Sequence, residues 1–220
     1  MKKYLNMCSL QFLNVTRVLV AGMLIASWNL QKVSAEELQV EKAKMESLVV
    51  GGGCFWCLDA VFRAFKGVAD VESGYAGGHV ANPTYEQVGV GTTGHAEVVR
   101  IDFDPQVINE VQLLTIFFHA HDPTTKDRQG NDVGPQYRSI ILFKSEQQKK
   151  NAAAVMREIT DKKLWGDKPL VTEVEPLQNF YPAEKYHQNY YAQNSNQPYC
   201  AIVIGPKLKK VKEQFSTLLR

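Results

Sequence analysis

Ser47-Leu-Val-Val-Gly-Gly-Gly-Cys-Phe-Trp-Cys57 decides how this chain is organised. The apolar residues up to Val50 predict a short strand over 47–50. Three glycines, Gly51 to Gly53, predict a tight turn, and a helix follows from about Phe55 to Phe65, stopped by Gly67. Cys54 stands where strand gives way to helix. Only the thiolate form of cysteine is a good sulfur nucleophile, and backbone N–H groups and the macrodipole at a helix N-terminus favour that form. The glycines let the backbone turn without Cβ clashes, while Phe55 and Trp56 are placed to wall an apolar pocket beside the sulfur. A buried structural thiol is the bland alternative for Cys54. Cys57 completes a C-x-x-C pair one helical turn on, close enough to close a disulfide.

Working outward, Val68 to Tyr75 reads as a second strand. A Gly-rich loop through Gly77, Gly78, Pro83 and Gly94 leads into an alternating strand over Ala96 to Phe103, ended by Asp104-Pro105. Asn109 to His119 has helical spacing with Asn109 as cap, and a polar loop runs from His121 to Pro135. Tyr137 to Phe143 is strand-like, and Ser145 caps a helix over about Glu146 to Lys162. Val171 to Val174 reads as extended, Pro182 to Asn194 as a proline-opened helix, Cys200 to Ile204 as a buried strand, and Lys207 to Leu218 as an amphipathic helix. Strands and helices alternate without a dinucleotide fingerprint or a phosphate-binding loop. The class is therefore α/β or α+β around a mixed sheet, with α+β preferred.

Of 220 residues, 45% are hydrophobic and 22% charged, with four cysteines. That excludes a wholly disordered or fibrous chain and a disulfide scaffold. The first 35 residues hold Lys2, Lys3, Arg17 and Lys32 and no acidic residue, so the remainder carries 21 basic against 23 acidic groups. So even a balance gives no electrostatic footprint for nucleic acid or anionic lipid. After Arg17 an apolar run of about a dozen residues reaches Leu30 and ends in Val33-Ser34-Ala35. This is the pattern of an export signal, with cleavage expected after Ala35 and a periplasmic destination; an uncleaved membrane anchor is the alternative. Residues 36–46 form a polar leader, and 47–220 a single catalytic domain.

In the Ala96 to Phe103 strand, side chains repeat every two residues, so Glu97 shares the apolar face of Val99, Ile101 and Phe103. A carboxyl group there is desolvated, which raises its pKa and suits it to donate a proton near neutral pH. The competing reading is a strand-end carboxylate paired with Arg100 or simply exposed. A closed zinc site would need histidines such as His79, His95, His119, His121 or His187 in addition to cysteines. None has regular ligand spacing to a cysteine pair, so no metal is expected.

The motifs Gly52-Gly-Cys-Phe-Trp-Cys57, Ser73-Gly-Tyr-Ala-Gly-Gly78, Asn82-Pro-Thr-Tyr-Glu86, Thr93-Gly-His-Ala-Glu-Val98, His121-Asp-Pro123, Gln129-Gly-Asn-Asp132 and Gln136-Tyr-Arg-Ser139 follow in order. Over about Leu48 to Lys207 the chain thereby resembles peptide methionine sulfoxide reductase A. The resemblance implies an α+β domain with a central mixed sheet flanked by helices. It implies reduction of the S epimer of methionine sulfoxide, free or in oxidised proteins. It makes Cys54 the nucleophile and Glu97 the acid at the sulfoxide oxygen. Phe55 and Trp56 would receive the substrate methyl group, and Tyr85, Asp132 and Tyr137 would line the site, the tyrosines donating toward that oxygen. Cys54 would become a sulfenic acid, then a disulfide with Cys57 or Cys200; Cys57 is expected to resolve first and Cys200 to accept the disulfide afterward. No bound cofactor is implied. The resemblance implies an external thiol reductant, a thioredoxin-like protein or dithiothreitol, and a monomer is expected.

Two rivals stand beside this reading. A thiol-disulfide oxidoreductase also fits a C-x-x-C after a strand, but leaves Glu97 and the tyrosines without a task. A non-catalytic binding module would use Cys57 and Cys200 as a structural disulfide.

Overall fold

The computed structural model describes residues 45–220; the predicted signal and all but the last two residues of the leader lie outside them. Strand β1 (Glu46–Gly51) buries Leu48, Val49 and Val50 in succession, because it lies inside the sheet and is covered on both faces. After it come α1 (Phe55–Phe62), β2 (Val68–Ala76), α2 (Tyr85–Gly89), β3 (Ala96–Phe103) and α3 (Glu110–Ala120). A two-residue hairpin follows, β4 (Arg128–Gln129) with β5 (Asp132–Val133). Then come β6 (Ile140–Phe143), α4 (Glu146–Asp161), β7 (Glu173–Pro176), β8 (Phe180–Pro182), α5 (Tyr190–Asn194) and α6 (Gly205–Gln214).

The main sheet has the order β7-β6-β1-β3-β2-β8. All neighbours are antiparallel except β6 and β7, which makes it the mixed sheet of an α+β domain. In β3 the alternation holds as expected. Val99, Ile101 and Phe103 join the larger core with α1 and α3, while Ala96 and Val98 join a smaller one with Val49, Ala76, Ile140 and Leu142. Glu97 is 2% exposed. Arg100 pairs with Glu72 at 2.8 Å and Asp102 at 3.6 Å, so its charge is not spent on Glu97.

Several expected elements are redrawn. Helix α1 stops at Phe62, and Phe65 leaves it to bridge Leu219. Pro135 opens a 3₁₀ turn through Tyr137, which delays β6 to Ile140. Pro182 does not open a helix. It ends the edge strand β8 opposite Gly74, at a sheet edge where a missing N–H is tolerated, and a 3₁₀ turn (Lys185–His187) and the short α5 follow. Cys200 to Ile204 is a π-helical turn and not a strand, with Cys200 and Ile204 buried and Ala201 and Ile202 exposed. Within the Gly-rich loop, Thr84 and Gln87 cap α2 reciprocally, which the sequence reading missed.

Candidate active site

The turn between β1 and α1 is built by close approach. Gly53 has φ +89°, a conformation L side chains rarely adopt, and a Cβ there would lie 2.5 Å from Gln129. A Cβ on Gly52 would meet the His121 ring at 2.8 Å. His121 is fixed by the Phe117 carbonyl and the Ser139 hydroxyl, both at 2.7 Å, and burial pushes its pKa down to about 3, so it stays neutral. The Gly53 N–H donates to the Tyr137 carbonyl at 3.1 Å. Cys54 then caps α1 with 8% of its surface exposed.

Glu97 faces this turn. It accepts the Phe55 N–H, at the start of α1, at 3.0 Å. Burial raises its pKa to about 8 against that hydrogen bond, with the negative charges of Asp132 and Cys57 adding to the rise. The carboxyl group is therefore mostly protonated at neutral pH. Tyr85, raised to about 12, and Tyr137, raised further, are shifted first by burial and then by charge on Glu97, with Cys54 and Asp132 also contributing. Cys54, Glu97, Tyr85, Tyr137 and Asp132 thus lie close enough for each to feel the charge of others in the group.

The thiols divide differently from the expectation of a helix-stabilised Cys54 anion. Burial pushes the Cys54 thiol well up, and its interaction with Cys57 and the charge of Glu97 push it further. The Trp56 N–H opposes this without prevailing. Cys57 falls to about 7, chiefly through its interaction with Cys54, helped by Lys207 and Tyr199 against burial. Within the pair, Cys57 is the thiol that ionises more readily. Cys200 is 0% exposed in its π-helical turn and its thiol is pushed up by burial and by the charge of Cys57. All three cysteines among the described residues are free.

Phe55 and Trp56 form an apolar wall, with rings 6.3 Å apart. Tyr190 stacks on the Trp56 indole at 3.7 Å and 8°, and Tyr199 meets its edge at 6.1 Å. The indole N–H donates to His187 Nδ1 at 3.1 Å. Glu184 accepts the Tyr75 hydroxyl at 2.9 Å and the Tyr85 N–H at 3.0 Å. Tyr199 donates to Asp132 at 2.7 Å and lies 3.9 Å from the Cys57 sulfur. The sequence reading did not single out Glu184, Tyr190 or Tyr199, and weighed His187 only as a metal ligand. Their signal was the cluster of aromatic and polar residues before Cys200, which an assumed helix obscured. Among the described residues no three His, Cys, Asp or Glu side chains converge as a metal site, and no helix is long and apolar enough to cross a membrane.

A family model described as peptide methionine sulfoxide reductase matches residues 46–219. The chain belongs to this family. A methionine sulfoxide reductase of Nautilia profundicola is 58% identical over 166 residues, covering 76% of this chain and 94% of that relative. One from Sulfolobus acidocaldarius is 56% identical over 171 residues, covering 78% and 96%. Among solved structures, the reduced form of Mxr1 from Saccharomyces cerevisiae is 36% identical, with a TM-score of 0.67, covering 72% of this chain and 90% of that one. Methionine sulfoxide reductase A of Corynebacterium diphtheriae is 35% identical, with a TM-score of 0.66, covering 69% and 76%. As a peptide methionine sulfoxide reductase, the protein is an oxidoreductase that reduces methionine sulfoxide and repairs oxidised proteins. That activity displaces both rival readings.

Proposed function

We propose that this reductase acts on the S epimer of methionine sulfoxide through Cys54 and Glu97, and that it works outside the cytoplasm. A sulfoxide sulfur resists attack until its oxygen takes up positive charge. With substrate against Phe55 and Trp56, neutral Glu97 protonates the oxygen while Tyr85 and Tyr137 donate hydrogen bonds to it. The Cys54 proton passes to Cys57 as the Cys54 sulfur attacks. The oxygen moves to Cys54 as a sulfenic acid, Glu97 is left ionised, and methionine leaves. Cys57 then attacks the Cys54 sulfur, water departs with the sulfenic oxygen, and a Cys54–Cys57 disulfide remains.

The observation that carries this reading is a buried carboxylic acid held at about 8, bonded to the first amide of the helix that Cys54 caps. A stereospecific assay tests it: the S sulfoxide should be consumed, the R sulfoxide spared, and Cys54→Ser inactive. Activity of that variant equal to the parent would remove the nucleophile.

Division of labour between the thiols has its own support. Cys57 is the lower of the pair and is bordered by Tyr199 and Lys207, whereas Cys200 lies deep in the turn that packs on α1. Cys57 therefore resolves first and Cys200 takes the disulfide afterward. Mass-spectrometric mapping of the trapped oxidised protein should find the 54–57 bond; an exclusive 54–200 bond overturns the order. A dithiol reductant, thioredoxin-like in the cell, restores both thiols. The apolar run ending at Ala35 supports export, and the mature protein should begin at Glu36. An exported enzyme meets an oxidising environment, which is why a dedicated donor is needed.

A further inference from the structure

A groove of about 400 Å³ opens beside the reactive pocket, between the β4–β5 hairpin and the π-helical turn. We propose that it seats the polypeptide on one side of the oxidised methionine and prefers an apolar residue followed by an acidic one. The proposal rests on sulfoxide reduction at Cys54.

Three observations converge. The groove is continuous with the site, because the hydrogen-bonded pair Asp132 and Tyr199 lines both, and Tyr199 reaches the Cys57 sulfur. Its wall is apolar where it leaves that pair. Ile202 is 73% exposed and Val203 partly buried, and an aliphatic side chain so open beside a reaction site is suited to cover by a ligand. A cation follows: Lys207 lines the groove and makes no ion pair among the described residues, while the Asp132 carboxylate, bonded by Tyr199, keeps its charge where the groove joins the reactive pocket. An extended chain entering from the pocket would meet aliphatic surface and then positive charge. A free amino acid has no such arm to seat, so the groove should matter for peptides alone.

The test compares free L-methionine S-sulfoxide with two short peptides containing it, one carrying leucine then aspartate on the same side of it and the other leucine then lysine. Dithiothreitol serves as reductant, so no protein donor has to dock. Ile202→Asp should lower kcat/KM for the aspartate peptide about tenfold through KM, while the free amino acid stays within about twofold. Lys207→Glu should reverse the preference between the two peptides, a ratio from which any effect on Cys57 cancels. Equal losses of Ile202→Asp on free and peptide substrates, or an unchanged preference between the peptides in Lys207→Glu, would overturn the proposal. So would a loss that emerges only when a thioredoxin replaces dithiothreitol, which assigns the groove to the reductant. Parent enzyme inactive on the free S sulfoxide would instead sink the reading of the site itself.

Discussion

Glu97 holds its proton to about pH 8, whereas an exposed glutamate gives it up near 4.5. The folded protein therefore binds that proton more tightly than the unfolded chain does. The stability this provides is complete below about pH 4.5 and is lost as pH rises through 8, on the order of 5 kcal/mol in all. Glu97→Gln keeps an oxygen for the Phe55 N–H but can neither ionise nor protonate a sulfoxide. Its kcat/KM should fall about 10² to 10⁴-fold. The decline of parent activity through pH 8 should disappear from its profile. At pH 8.5 the same variant should be more stable, by roughly 1–3 kcal/mol in urea denaturation, because a buried charge is gone. Unchanged activity in this variant would show that another group donates the proton. The position of Glu97 was legible in the two-residue repeat of its strand. The direction of the Cys54 shift was not, because it depends on how deeply the rest of the chain buries the sulfur.

Helix α1 carries Trp56 and Cys57 behind its cap Cys54, and it also carries Asp59, a buried carboxyl group that anchors Asn189 and the segment after it. Asp59 accepts Arg63 Nε at 3.1 Å and the backbone N–H of Asn189, whose own φ is +49°. Next in sequence, Tyr190 stacks on Trp56. Asp59→Ala should cost about 1–3 kcal/mol in chemical denaturation, since the Asn189 N–H loses its acceptor while Arg63 keeps Asp70 and the Val71 carbonyl. It should also shift tryptophan emission as Tyr190 leaves the indole. Asp59→Asn retains an acceptor for Asn189 and should lose less of both. Gly52→Ala, pressed against the His121 ring, should cost about 1–3 kcal/mol and lower activity together with stability, measured by denaturant midpoint and turnover. These contacts explain why the segment from Pro182 to Ile204 misled the sequence reading. A short apolar run such as Cys200 to Ile204 has the same periodicity whether it lies in a strand or a buried turn, and only α1 beneath it decides.

Across the domain, one sheet supports two unequal cores, and the reactive pocket sits on the helix-covered face with the larger one. Most of this architecture could be read from β1, β3 and the caps of α3 and α4, where local preference and tertiary packing agree. The edge strand β8 could not, because Pro182 is acceptable there only through its place opposite Gly74 at the sheet's border. All three described cysteines are buried, which extends the consequence beyond chemistry. Iodoacetamide should label the reduced protein slowly, and mild denaturant should accelerate it sharply; rapid labelling of the native enzyme would contradict the burial. Sulfurs so sheltered are spared chance oxidants, and the enzyme keeps its electrons in reserve while idle. The same shelter stands between a spent enzyme and its donor, so recharging should quicken under conditions that let the protein breathe open around them.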